Sequence, residues 1–436
     1  MNSLKKYLTP STLLFAILLG ISVVVAVIVN IEVKSSFNMP KLFALRLFTI
    51  AAIIISAYQM WRSGSFSYIK TRFNRYLAIY SIVIFFVTIF SVQIDASIIG
   101  TEGRFLGIIT MFNFFLLAFL TMNTLTTRKR LIIFISVSTA TAFLLAIYGL
   151  MQNASDIATY PRLAPIVQKI VGDPAHWTQD PTDRVFGTMG HANHFGAYLA
   201  FHIMLLGGLI LTVKKWWAKI LMAMAGLIMF SAVMTTESRG AIVALVAGIF
   251  IFAIFSAKIE WNGIKRWKWP ILGLFVAMIL VVGIFQGQIV EKVKNSGLGQ
   301  RTIGTIQFLQ AGNIPDRVSW WFSSFEMFAD HPILGQGLST YKDVYNLYRR
   351  LDYKVPGDEQ DTTTPESTHM AYFNILAEQG IVGLTAYIFF IGFVVFTLGK
   401  FVWLSTTNIS TYHSIIIGIL AALTTYLVQV LMSFGE

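Results

Sequence analysis

Cysteine is absent from the chain, which excludes disulfides and thiolate metal sites. Charge is scarce as well. Asp, Glu, Lys and Arg make up 12% of the residues, against 56% that are hydrophobic. A soluble domain of that composition would lack the polar surface to cover itself. No repeat at a fixed period and no low-complexity linker divides the sequence. It therefore reads as one integral membrane domain over residues 1–436. Acidic residues are the scarcer charge, 21 against 33 basic, which leaves a net charge of +12. That excess would suit nucleic acid, but the positions of the basic residues argue for membrane orientation and no nucleic-acid role.

Long hydrophobic runs are what the chain has instead. A membrane span takes ~20 apolar residues, and such runs lie near 11–31, 42–61, 76–94, 105–124, 131–151, 193–213, 217–235, 239–257, 269–288, 381–400 and 411–432. The expected fold is an all-α, polytopic helical membrane protein with about eleven spans. The first run follows Lys5 and Lys6 without a small-residue cleavage site, which predicts a retained helix. Lys5, Lys6, then Arg62, Lys70, Arg72, Arg75, then Arg128, Lys129, Arg130 fall at alternate ends of successive spans. Lys214, Lys215, Lys219, then Lys258, Lys265, Arg266, Lys268, and finally Lys400 continue the alternation. Basic loops face the cytoplasm. The N-terminus is then inside, and loops 95–104, 152–192, 236–238 and 289–380 face outward.

Loop 289–380 is long and carries its own helices, which is the mark of a working loop. Val318, Trp321, Phe322, Phe325 and Phe328 recur at helical spacing and predict one apolar face. Pro332 ends that helix, and Gly335 and Gly337 make the turn after it. Glu366, Ser367 and Thr368 are capping residues, which predicts His369 on the first turn of the next helix.

The polar residues of the outer loops form a short series. Arg184, His191, Asn193 and His194 stand at the head of the sixth span, among Gly187, Gly190, Ala192 and Gly196. His191 and His194 have the i, i+3 spacing of a helical metal pair, but no third ligand stands near them, so no metal site is expected. Glu237, Ser238 and Arg239 form a very short hairpin. Arg239 there reads either as a snorkelling or Glu237-paired arginine or as an anion clamp at a helix start. Arg317 reads as a surface charge or as a second cation for the same anion. Guanidinium groups bind phosphate oxygens in pairs, and a histidine takes a hydroxyl proton near neutral pH. An amphipathic substrate with a lipid tail and a phosphate head would reach such a site from the bilayer.

In this order the residues resemble the O-antigen ligase family, whose domain is shared with O-antigen polymerases and bacterial protein O-oligosaccharyltransferases. The resemblance rests on Gly-His-Ala-Asn-His at 190–194, Ser-Arg-Gly at 238–240, and the long loop. The loop carries Arg317, Trp320, His331, Pro332, Gly335, Gly337, His369, Asn374, Glu378, Gly380 and Gly383. It covers roughly residues 180 to 400. Met370 stands where the family often has asparagine. The family usually has about twelve spans, so a twelfth is expected beyond the eleventh.

The resemblance implies a bacterial cytoplasmic-membrane enzyme with its active site on the outer, periplasmic side. A glycan linked to a polyprenyl diphosphate, such as undecaprenyl diphosphate, would be transferred with inversion to an acceptor hydroxyl on lipid A–core, another glycan or a protein. It implies no cofactor and no metal, because arginines stabilise the leaving diphosphate. Arg239 and Arg317 would hold the diphosphate and His369 would orient or deprotonate the acceptor. Arg184, His191 and Asn193 are further candidates for contacts to the donor. A transporter or flippase of lipid-linked glycans is the alternative from another class, and a non-catalytic scaffold a third. A transporter would carry more charge in mid-span and paired broken helices, whereas Arg46 is the only charge well inside a span.

The charge alternation predicts that a reporter fused near Gly357 behaves as extracytoplasmic. A cytoplasmic signal at that position would reverse the whole orientation.

Overall fold

Backbone polar groups in a bilayer can satisfy one another only by coiling or by closing a barrel, and long apolar runs here coil. The computed structural model describes residues 9–30, 32–33, 35–65, 68–157, 159–172, 184–257, 316–349, 364–404 and 411–432. Helices α1 (Pro10–Val27), α2 (Asn38–Ser63), α3 (Arg72–Ile89), α4 (Ile94–Ile99) and α5 (Ile108–Thr124) come first. They are followed by α6 (Arg128–Asn153), α7 (Ala164–Val171), α8 (Ala192–Thr212), α9 (Trp216–Thr235) and α10 (Arg239–Ala257). Then come α11 (Asp316–Asp330), α12 (Tyr341–Val344), α13 (Ala371–Leu404) and α14 (Thr411–Met432). No strand occurs among the described residues. Nine of these helices are long and apolar enough to cross a membrane, and Ile108–Thr124 is a shorter apolar helix. The chain is an all-α, multi-pass membrane protein.

Ten of the eleven expected spans coincide with these helices within a few residues. The ninth, 269–288, lies outside the described residues, as do 289–315 and 350–363 of the long loop. The fourth begins at Ile108 rather than 105. Phe105 takes a left-handed conformation (φ +53°) instead, and its carbonyl accepts the Thr110 hydroxyl at 2.6 Å.

α8 is the central helix. α14, α9, α10 and α6 all pack on it. One buried cluster joins Leu145 and Ala146 of α6, Phe195 and Leu199 of α8, Met229 and Val233 of α9, and Ala241 of α10. A second joins Ala200, Met204, Leu205 and Leu209 of α8 to Ile415, Ala421 and Ala422 of α14. α13 does not pack on α8 but joins the bundle through α14, and packs also against α3 and α11.

The last helix but one departs most from expectation. α13 has 34 residues, about 51 Å at 1.5 Å per residue. A bilayer core is only ~30 Å thick. The helix is broken at Gly380, where φ is +62° and ψ −165°. The Pro332–Gly337 turn docks onto this break through four backbone bonds. Gln336 N donates to Ala377 O and Gly337 N to Glu378 O, both at 2.9 Å. Ile381 N donates to Pro332 O at 2.9 Å and Val382 N to Ile333 O at 3.2 Å. These bonds satisfy the groups that the break releases. At ~0.5–1.5 kcal/mol net each, they contribute roughly 2–6 kcal/mol. Gly335 (φ +71°) approaches so closely that a Cβ would overlap the Glu378 carbonyl.

The amphipathic helix is where expected, but a different face packs. Ser323, Ser324 and Met327 are buried, with Trp320 packed against Met327. Phe322 and Phe325 are exposed. The serines let α11 approach its neighbours closely, and each hydroxyl is satisfied locally, Ser323 on Ser319 O and Ser324 on Trp320 O. Of the expected apolar stripe, Val318, Trp321 and Phe328 are half-buried, and Phe373 contacts the rings of Trp321 and Phe325.

The docking predicts a contrast between two glycines. Gly64 ends α2 at φ +64° with open space around it, so Gly64→Ala should cost only the ~1 kcal/mol of a left-handed alanine. Gly335→Ala adds a collision with backbone and should cost several kcal/mol more, read as thermal unfolding in detergent. Equal losses would show that the turn is not wedged against the break.

Candidate functional site

The site is assembled at the turns that join the helices at one end of the bundle. His191 caps α8, its Nδ1 accepting from Asn193 N at 3.1 Å. Its ring meets that of His194 edge-on at 5.1 Å between centroids. Arg184 ties this helix start to the next turn. Its NH2 donates to Asn193 Oδ1 at 2.9 Å and its Nε to Thr236 O at 3.1 Å. Thr236 opens the hairpin that presents Arg239. Within it Glu237 is left-handed (φ +49°), and Ser238 Oγ caps α10 by accepting from Ala241 N at 3.3 Å. Arg239 is the first residue of α10, exposed at its N-terminal end.

Arg317 lies on the first turn of α11. Its guanidinium is pushed below the usual arginine range, first by desolvation and then by the charge of Arg239. The charge of Arg239 is therefore felt at Arg317. Three residues on, Trp320 stacks on His369 with centroids 5.0 Å apart and planes 28° from parallel.

His369 is not on the first helical turn. α13 starts at Ala371, and His369 precedes it in a left-handed conformation (φ +53°). The capping residues build a turn instead of a helix start. Ser367 Oγ accepts from His369 N at 3.4 Å, and Thr368 Oγ1 accepts from Met370 N at 3.1 Å. Thr368 O accepts from the Trp321 indole at 3.1 Å. Both tryptophans of α11 thus grip the histidine turn, one by its ring and one by its backbone.

The imidazole of His369 is pushed down to about 3, first by burial and then by the charges of Arg317, His191, Arg104 and His194. Arg104 is the residue that the sequence did not single out. Its NH1 donates to Glu366 O at 3.4 Å, across 262 residues of sequence. The available signal was weak: it is the one basic residue of loop 95–104, flanked by Gly100, Gly103 and Gly107. Among the described residues no group of three or more His, Asp or Glu stands together.

Four non-glycine residues are left-handed among the described ones: Phe105, Glu237, Ser339 and His369. Phe105 follows Arg104, Glu237 precedes Arg239 by two, and Ser339 bonds the Arg104 loop through Thr101 N at 3.1 Å. Such conformations cost ~1–3 kcal/mol each and persist where surrounding structure enforces them. Here each lies in a turn at or bonded to the segment that carries Arg104, Arg239 or His369.

Residues 224–388 match the family model described as O-antigen ligase. Over those residues the chain is similar to O-antigen ligases. No curated protein matches the chain. The O-antigen ligase match contains Arg239, Arg317, Trp320, His369 and the Gly335–Gly380 docking, whereas Arg104, Arg184, His191 and Asn193 lie outside it. It supports a membrane glycosyltransferase of the ligase, polymerase and oligosaccharyltransferase superfamily.

The neutral histidine predicts a pH dependence. Its folded value lies below the ordinary 6.5, so its contribution to stability is present above pH ~6.5 and is lost as pH falls toward 3. The melting temperature of the wild type minus that of His369→Gln should therefore be smaller at pH 4 than at pH 7. An identical difference at both values would show that the imidazole titrates normally.

Proposed function

We propose that the protein transfers a glycan from a polyprenyl diphosphate to an acceptor hydroxyl at the outer face of the bacterial cytoplasmic membrane, as an O-antigen ligase whose acceptor is lipid A–core. The observation that carries this reading is the convergence of Arg239, Arg317 and His369, with Trp320 stacked on the histidine. The donor's sugar C1 bears a diphosphate, which leaves well once its charge is stabilised. Arg239 and Arg317 supply fixed positive charge where that charge develops, in a setting that needs no reorganisation. They take the part that a divalent cation would otherwise play.

The acceptor oxygen attacks C1 from the face opposite the leaving group, which inverts the anomeric centre. The new bond is C1 to acceptor oxygen. The bond broken is C1 to phosphate oxygen, and its electron pair stays with the diphosphate. The hydroxyl proton passes to His369. A neutral imidazole can accept it, and burial together with the surrounding cations keeps His369 neutral at physiological pH. Trp320 fixes the plane of the ring. Arg184 and Asn193 hold the hairpin that bears Arg239, and His191 faces the same space as a further donor contact.

Arg239→Ala or Arg317→Ala should lower transfer by ~10²–10³-fold, the range for losing one preorganised donor to a developing anion. Lysine should rescue poorly, because it lacks the planar fork. His369→Ala should lower transfer by ~10²–10⁴-fold while donor still binds. Exhaustive chelation should leave the rate unchanged. The measurement is transfer of lipid-linked glycan by folded, purified variants. Wild-type transfer by the double Arg→Ala variant would overturn the clamp, and a strict need for added divalent metal would overturn its metal independence.

A further inference from the structure

Helix α7 carries two apolar faces and needs only one of them for packing. Ala164, Val167 and Val171 are its buried side, and α6 is the helix it packs on. Leu163, Ile166 and Ile170 repeat the same spacing one residue earlier. At 3.6 residues per turn they form a second stripe, rotated by about 100° from the first. All three are exposed, Ile166 by 61% and Ile170 by 66%. Ile157 and Tyr160, in the turns that lead to the helix, are exposed as well. Gln168 and Lys169 stand on the remaining side. Single exposed aliphatics are ordinary, but a stripe of them marks a contact surface.

Two observations identify what the stripe contacts. The first is position. Gln168 Nε2 donates to Ser155 O at 2.9 Å. Ser155 is two residues past the end of α6, one of the helices long and apolar enough to cross a membrane. α7 therefore lies level with the mouth of a span, where hydrocarbon gives way to headgroups. The second is size. The exposed patch is five side chains, whereas a stable protein interface takes ~20–30 residues a side. Lipid sets no such minimum. The fringe of the patch agrees. Tyr160, Arg162 and Lys169 are exposed around it, and tyrosine and long basic side chains are the groups that settle at headgroup level.

We propose that α7 is an interfacial helix, with the face of Leu163, Ile166 and Ile170 lying in the leaflet at that end of the bundle, the outer one on the charge alternation. Such a helix sinks its apolar face ~5–10 Å into the boundary between headgroups and acyl chains. The partner is the bilayer surface itself, and the inference rests on no reading of the activity. It does bear on the candidate site. Ser155 Oγ donates to Gln152 O at 2.6 Å. Gln152 Oε1 accepts from Gly187 N at 2.8 Å, and its Nε2 donates to Gly187 O at 3.2 Å. α7 is thus fastened, through Ser155 and Gln152, to the turn between Arg184 and His191. The depth at which the helix rides in lipid is passed on to that turn.

The absence of cysteine gives a clean test, because each introduced cysteine is the only one. Ile166→Cys, Ile170→Cys and Lys169→Cys are labelled with bimane in the purified full chain and placed in phosphatidylcholine nanodiscs. Two quenchers are compared: aqueous iodide, and phosphatidylcholine spin-labelled at a shallow or a deep acyl carbon. At positions 166 and 170 the emission should shift to the blue relative to 169. It should fall strongly with the shallow spin label, less with the deep one and little with iodide. At 169 iodide should quench most. Leu163→Cys supplies a third position on the same face where one of the others does not fold. Iodide quenching at 166 and 170 as strong as at 169 would put the face in water and overturn the proposal. Protection from both quenchers would show that protein covers the face. Stronger quenching by the deep label would show a helix sunk in the membrane interior, and either result would overturn the proposal as well.

Discussion

The docking of the Pro332–Gly337 turn onto the broken helix at Gly380 is the constraint on which the site depends. A helix of 34 residues is too long to stand straight in a bilayer. Breaking it frees carbonyls and amides that lipid cannot satisfy. The turn supplies them, and in doing so it fixes α11 relative to the start of α13. Trp320 and Arg317 are on the first helix and His369 just precedes the second. The geometry between aromatic ring, guanidinium and imidazole is set by backbone bonds well away from all three.

Charge arrangement follows from the same rigidity. Like charges do not gather unless a scaffold holds them there, because each makes the next more costly to place. Arg317 shows this effect. The four left-handed, non-glycine residues mark the places where the chain accepts backbone strain to aim these groups. The stability invested in the helix core, around Phe195, Leu199 and Met229, is what lets the outer turns carry that strain.

Much of this was legible in the sequence, and the rest was hidden for identifiable reasons. Span positions follow from hydropathy, which depends only on local composition. The end of α11 at Pro332 and the turn at Gly335 and Gly337 follow from local conformational preference. The break at Gly380 was hidden because the glycine stands at the head of the 381–400 run, after Glu378 and Gln379, where it reads as an ordinary helix entry. The packed face of α11 was hidden because two serines fit a close contact better than the phenylalanines beside them. The sequence places His369 on a helix because Ser367 and Thr368 cap turns as readily as helices. Arg104 lies in a short loop, and its meaning comes from a partner segment on the far side of the sequence.

That separation has a consequence in time. Arg104 and Glu366, which meet in the finished site, are 262 residues apart. At ~5–20 residues per second of synthesis, roughly 13–50 seconds pass between their emergence from the ribosome. During that interval the early spans are already in the lipid, while the histidine turn does not yet exist. On the transferase reading, a nascent chain therefore holds its early cations before the proposed base exists, so most of the chain must be inserted before transfer can begin.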